Sequence, residues 1–245
     1  MAVPQKTINL LAAETGNDAE DAEIGYQDNI IEFYGEEYVV FPSYNAAEDA
    51  AIRVEKESIK SDPKTWLGLS WVEDYIKVSD TDARVIGNDM ADSYVDGINA
   101  EDILERTSMF DDWQDLEDEK DDIEYGDVRD ADDADDAALD RRVKEIEKEQ
   151  EGMVNEAREA LHEEVSDRYI MLLWNNPAAF ISEVYGYSSI AAYAKAMGGL
   201  PTWLYLDAAG VAEYVVDNDG PATILAQYDS NEIELGNGAY AYRIN

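Results

Sequence analysis

Few side chains in this sequence have both the type and the spacing for chemistry. One histidine, His162, follows Glu159 by three residues. That Glu-x-x-His spacing puts both groups on one helix face and serves di-iron carboxylate proteins, which need two copies of it. A second histidine does not occur, so His162 reads as a surface residue of a helix. Asp217-Asn-Asp-Gly220 offers the acids of a calcium loop. A loop opened at Asp217 needs Gly at its sixth position and Glu at its twelfth, where Ala222 and Tyr228 stand instead. It reads as a polar turn. With no cysteine, thiol catalysis, disulfides and cysteine metal sites are excluded. Gly-rich phosphate loops, serine nucleophile elbows and zinc motifs are missing from the sequence as well. Paired carboxylates of the glycosidase kind cannot be singled out among 57 acids. The expectation is a protein that is not an enzyme, with no catalytic residues, no metal site and no cofactor.

Charge is the unusual property. The 245 residues carry 57 Asp and Glu against 18 Lys and Arg, a net charge of −39. Binding to a nucleic-acid backbone or an anionic membrane needs clustered bases, so both are excluded as partners. From Ser108 to Asp140, 16 acids face only Lys120 and Arg129. Three causes compete. Solvation in high salt is one, although nine Lys match nine Arg. Sequestration of calcium or basic proteins by a tail is another, but the acids extend along the whole chain. The third is imitation of DNA, which displays one charge per about 1.7 Å of duplex axis. Carboxylates held on rigid elements of an elongated body suit that task, because held groups lose less entropy on binding. The candidate phosphate mimics are Asp111, Asp112, Asp115, Glu117, Asp118, Asp121, Asp122, Asp132, Asp133, Asp135 and Asp136, with Glu145, Glu149, Glu156 and Glu163. Trp113 and Tyr125 are candidate aromatic anchors.

The elements that must hold these residues follow from hydrophobic period and capping. Leu139, Val143, Ile146, Gln150, Met153, Ala157 and Ala160 recur at alternating spacings of four and three, a heptad seam. The seam then slips to Leu161, Val165, Tyr169 and Leu172, and Asn175-Asn176-Pro177 stops it. This predicts one helix of about 36 residues from Leu139 to Trp174, roughly 54 Å long. The seam is either an internal packing face or the interface of a homodimer through that 139–174 helix. Residues 108–138 form either a solvated helix pinned by Trp113 and Leu116 or a mobile acidic loop. Asn29 to Phe41 reads as a hairpin around Gly35, and Glu232 to Ile244 as a second around Gly236-Asn-Gly238.

Between the hairpins, helices are predicted after Asn45 with Glu48 as capping partner, after Asp62-Pro63 (Leu67, Trp71, Val72, Tyr75, Ile76), and through Val85, Ile86, Met90, Tyr94 and Val95. Further helices carry Ile103, Phe180, Ile190 and Val211, the last capped by Asp207. The fold class is α+β, mainly helical. The expected division is a flexible acidic start at 1–23, an α+β domain at 24–107, the acidic segment 108–138 (partly disordered), the long helix 139–176 and an α+β domain at 177–245. No stretch is apolar enough to span a membrane, and the first residues have no secretory-signal pattern.

Charge, size and aromatic content resemble those of the antirestriction proteins of phages and plasmids that mimic DNA, such as the ArdA and Ocr families. The stretch from Val211 to Asp229, with Glu232-Ile-Glu-Leu235 and Tyr240-Ala-Tyr-Arg-Ile-Asn245, resembles the ends of many tailed-phage proteins, and Tyr38 to Asp49 is similar to a segment near their start. These resemblances imply a phage protein acting in the bacterial host cytoplasm. Its partner would be the basic DNA-binding groove of a host defence or DNA-processing enzyme. The competing expectation is a phage structural or assembly protein, or a halophilic one, whose acids serve solubility alone.

Overall fold

Met1–Lys77 and Ile190–Asn245 gather into one unit, and Val78–Ser189 forms a second. The computed structural model describes residues 2–125 and 136–245. In chain order the first unit contributes α1 (Gln5–Thr15), β1 (Glu23–Ile24), β2 (Ile30–Phe33), β3 (Glu36–Phe41), α2 (Tyr44–Ser61), α3 (Pro63–Trp66) and β4 (Ile76–Val78). The second unit holds α4 (Asp80–Asp96), α5 (Ala100–Leu104), α6 (Phe110–Tyr125), α7 (Asp136–Asn175) and α8 (Pro177–Tyr185). The chain then returns to the first unit with α9 (Ile190–Met197), β5 (Leu204–Leu206), α10 (Ala208–Asp219), α11 (Pro221–Leu225), β6 (Glu232–Glu234) and β7 (Tyr240–Arg243). The class is α+β, 66% helical.

In the first unit both expected hairpins form. Tyr34 and Gly35 have φ of 52° and 90°, the two-residue turn whose twist matches its strands. At the other hairpin, Leu235 N–H donates to the Ala239 carbonyl at 2.8 Å. The sequence reading kept the two hairpins apart, in separate domains. The structure joins them: β3 pairs antiparallel with β7, Tyr38 opposite Arg243, in the order β1-β2-β3-β7-β6. Side chains alternate across this sheet. On one face Ile31, Phe33, Tyr38, Val40 and Ala241 pack on Ile8, Leu11 and Ala12 of α1. On the other, Tyr242 packs with Ala47 and Ala51 of α2 and Val216 of α10.

Three local expectations are corrected here. The start of the chain forms α1, because Ile8, Leu11 and Ala12 share one helical face that the sheet covers. The cap of α2 is Ser43, not Asn45: its Oγ accepts from the Ala46 N–H at 3.3 Å. The helix expected after Asp62-Pro63 stops at Trp66; Ser70–Tyr75 coils as a 3-10 turn, and Ile76 enters β4, which pairs with β5. Backbone pairing there, with the Asp207 N–H on the Tyr75 carbonyl at 2.8 Å, overrides the helical spacing of the apolar residues.

The second unit is built on α7, 40 residues long and thus about 60 Å. Its buried face runs Val143, Ile146, Gln150, Ala157, Leu161, then Ser166, Ile170 and Leu173. The first half follows the expected seam. The second half leaves it by one residue, since a straight helix of 3.6 residues per turn drifts from a 3.5-residue repeat by about 20° per heptad. Helices α4, α5 and α6 cover this face within the unit. Of the two expected uses of the seam, this is the internal packing face. Against it α4 turns Ala83, Gly87, Ala91 and Val95, leaving Val85 and Tyr94 exposed. The expected face of large residues is replaced by a small one because the helix axes approach closely. A Cβ at Gly87 would lie 2.5 Å from Ile170 Cγ1 and 3.1 Å from the Ser166 carbonyl.

Candidate functional site

The acids of α6 are arranged by what holds the helix down. Ile123 is buried with Val143 and Ile146 of α7, Leu116 packs beside them, and Trp113 packs on the cluster of Val95, Leu104, Ala157 and Leu161. These residues claim one face. At 100° per residue, Asp111, Asp115, Asp118 and Asp122 then fall within a sector of about 60° on the opposite face, over about 16 Å of axis. All four are exposed. Asp112 and Asp121 flank them on either side, also exposed. With Glu124, the exposed acids of α6 number one per about 3 Å of axis, close to the one per about 3.4 Å of a single DNA strand.

A single guanidinium ties α6 to α7. Arg142 donates to both carboxylate oxygens of Glu119, at 2.8 and 2.9 Å. It also lies 3.5 Å from Glu149 and 3.7 Å from Glu145. Glu119 is held below the usual carboxylate range, first by the Arg142 hydrogen bond, and Arg142 is pushed above its ordinary value chiefly by the same bond. Further along, Gln150 Nε2 donates to Glu117 Oε2 at 2.8 Å. Glu119 meets Arg142, Glu117 meets Gln150, and Ile123 meets Val143, so α6 runs antiparallel to α7.

The predicted residues therefore separate into groups. Asp111, Asp112, Asp115, Asp118, Asp121 and Asp122 project from α6 into solvent, as does Asp136 at the start of α7. Glu156 and Glu163 are exposed on α7 and share a sector with Glu145 and Glu149. Glu117 turns toward α7 and its charge is engaged by Gln150 and, at 4.0 Å, by Lys120. Glu145 and Glu149 are partly neutralised by Arg142. Asp132, Asp133 and Asp135 lie outside the described residues. Trp113 serves the core, whereas Tyr125 is 84% exposed.

Three contributors escaped the sequence reading. Glu159 and Asp167 continue the α7 sector at spacings of three and eleven from Glu156, a signal that was legible. The Glu119–Arg142 link spans 23 residues and has no local signature. Charge is also uneven between the units: Val78–Ser189 holds 34 of the 57 acids and 10 of the 18 bases, in fewer residues than the other unit. His162 Nε2 lies 2.9 Å from Asp92 Oδ1. Among the described residues no group of three or more His, Asp or Glu could hold a metal, and no helix is long and apolar enough to cross a membrane.

No protein-family model matches the chain, and no curated protein or solved structure does either.

Proposed function

We propose that this chain is a non-enzymatic DNA mimic, an anti-defence protein of the antirestriction kind, encoded by a phage. It occupies the basic DNA-binding groove of a bacterial defence enzyme or another DNA-processing protein. One observation carries the reading: the Asp111, Asp115, Asp118 and Asp122 stripe is mounted on an ordered helix that Ile123, Leu116 and Arg142 fasten to α7. Carboxylates so held can replace phosphates on a partner's Lys and Arg without paying the ordering cost of a loose tail. The stripe also works against its own helix. Asp111–Asp115, Asp115–Asp118 and Asp118–Asp122 are like-charge pairs at i,i+3 or i,i+4, which cost about 0.2–0.5 kcal/mol each. Asp121, Asp122 and Glu124 crowd the negative end of the helix dipole, where acids are unfavourable. Solubility needs no such placement.

The test is capture from a bacterial lysate on the immobilised chain, followed by elution with duplex DNA or salt. A protein that DNA releases, and that the fourfold variant D111N/D115N/D118N/D122N fails to hold, supports mimicry. Equal capture by that variant, or release by salt but not by DNA, refutes it. A function in solubility alone predicts that the variant loses only its solubility at low salt.

A further inference from the structure

A cleft of about 430 Å³ opens in the first unit between α3 with its following turn and α9. Its floor and walls are apolar: Leu67, Ala191, Ala194 and the backbone of Gly198. Lys64, on α3, and Lys195, in the last turn of α9, stand at its rim. No carboxylate lines it. That is unexpected for a chain of net charge −39. Three other clefts each have two or more acids in their walls.

The mouth is open for a local reason. Gly198 and Gly199 have φ of 81° and 157°, and the Gly199 N–H reaches back to the Ala194 carbonyl at 2.8 Å. This is the glycine cap that ends a helix in the left-handed region. A Cβ at either glycine would meet nothing within 4 Å, so the rim there is bare backbone. Glu73, the nearby acid on the Ser70–Tyr75 turn, accepts from the Ala191 N–H at 3.4 Å and does not line the cleft. Lys64 and Lys195 make no ion pair among the described residues.

From this we infer that the cleft between α3 and α9 binds a small amphipathic anion. Its apolar body lies on Leu67, Ala191 and Ala194, and its single carboxylate or similar acidic group is shared by the two lysines. Size and lining are those of small-molecule clefts, which hold about 300–1,000 Å³ and combine an apolar lining with a few polar groups. The charge is what selects the ligand. The clefts walled by acids repel an anion, and here alone among these clefts it meets two ammonium groups without an opposing carboxylate in the wall. This site is independent of the acidic face on α6 and α7.

Octanoate and 1-octanol, titrated calorimetrically into the full chain, test the inference, with amide NMR on 15N-labelled protein to locate the ligand. Octanoate is expected to bind at least tenfold more tightly than octanol and to shift the Gly68, Gly198 and Gly199 amides. K64Q/K195Q, altered only at two exposed side chains, is expected to lose at least tenfold in octanoate affinity with an unchanged melting temperature. Three results each overturn the assignment: no octanoate binding at millimolar concentration, equal affinity for the alcohol, or undiminished affinity in the double variant. Shifts confined to the uncharged cleft lined by Val3, Thr7 and Phe41 would do so too.

Discussion

Two glycines inside helices of the second unit invite one substitution with opposite outcomes. Gly87 lies in α4 and Gly152 in α7. Alanine is favoured over glycine in a helix interior by about 1 kcal/mol. At Gly152 a Cβ meets nothing within 4 Å. Gly152→Ala should therefore stabilise the protein by about that amount. At Gly87 the same methyl lies 2.5 Å from Ile170 Cγ1 and 3.1 Å from the Ser166 carbonyl. Ile170 is 6% exposed and branched at its Cβ, and a backbone carbonyl cannot step aside alone. Overpacking of this kind costs about 1–3 kcal/mol. Set against the gain in helix propensity, Gly87→Ala should be net destabilising by about 1 kcal/mol. The second variant Gly87→Ala with Ile170→Ala removes the clashing atom but opens a cavity, so it should not exceed wild type. Urea unfolding followed by far-UV circular dichroism gives both values on one scale. If Gly87→Ala stabilises as much as Gly152→Ala, the close approach of α4 to α7 is not the reason for glycine there.

Further outcomes follow from the charges and the tyrosines. D111N/D115N/D118N/D122N removes every like-charge pair that these four acids make at i,i+3 or i,i+4 along α6, those with Asp112, Glu119 and Asp121 included, against the loss of Asp111's favourable place in the first turn, and should raise stability by about 1–2 kcal/mol in low salt; the gain should shrink in 0.5 M salt, where screening acts within about 4–5 Å, and urea unfolding at both salts reads it. Arg142→Gln should change global stability little, because the guanidinium and its partners are solvent-exposed. The same variant should speed hydrogen exchange in α6 more than in α4, and equal rates in both helices would deny Arg142 its fastening role. Burial, then the bond to Glu36, pushes Tyr38 up to about 12, and burial, then the bond to Glu232, raises Tyr242 further. Both phenols are neutral in the folded protein where the unfolded chain ionises near pH 10, so their contribution is complete below pH 10; that of Tyr38 is lost as pH rises through about 12, and that of Tyr242 goes on falling above it. Tyr38→Phe should flatten the fall in stability between pH 10 and 12 by on the order of 2 kcal/mol, measured by urea unfolding at each pH.

Local signals carried much of the fold. Asp207 caps the helix it was expected to cap, and the long helix differs from its prediction by a few residues at its start. What escaped was decided by partners distant in sequence. Nothing near Val85 or Tyr94 reveals that α4 presents its alanines and Gly87 to α7, because that choice belongs to Ile170 and Ser166. Ile76 looked helical until β5 supplied a strand to pair with. The two hairpins looked like separate features because their register links residues about 200 positions apart. For the candidate site, the stripe on α6 was visible as spacing among acids, but its ordering depended on Ile123 and Arg142 finding α7. The inward turn of Glu117 onto Gln150 was equally invisible, whereas the Arg142–Glu145 pair, at i,i+3, had a local signature.

The central sheet has a temporal consequence. Glu37 N–H bonds to the side chain of Asn245, 208 residues further on, and β3 waits for β7 before its second edge is hydrogen-bonded and its apolar face gains Leu235, Ala239 and Ala241. On the ribosome, Val78–Ser189 is contiguous and can finish folding while the strand that completes the first unit is still unmade. During that interval Tyr38, Val40 and the α1 face lack their final cover. The early-made half of the first unit is thus the stage at which a chaperone or a protease would find this protein, and the anionic unit is the portion already finished when it does.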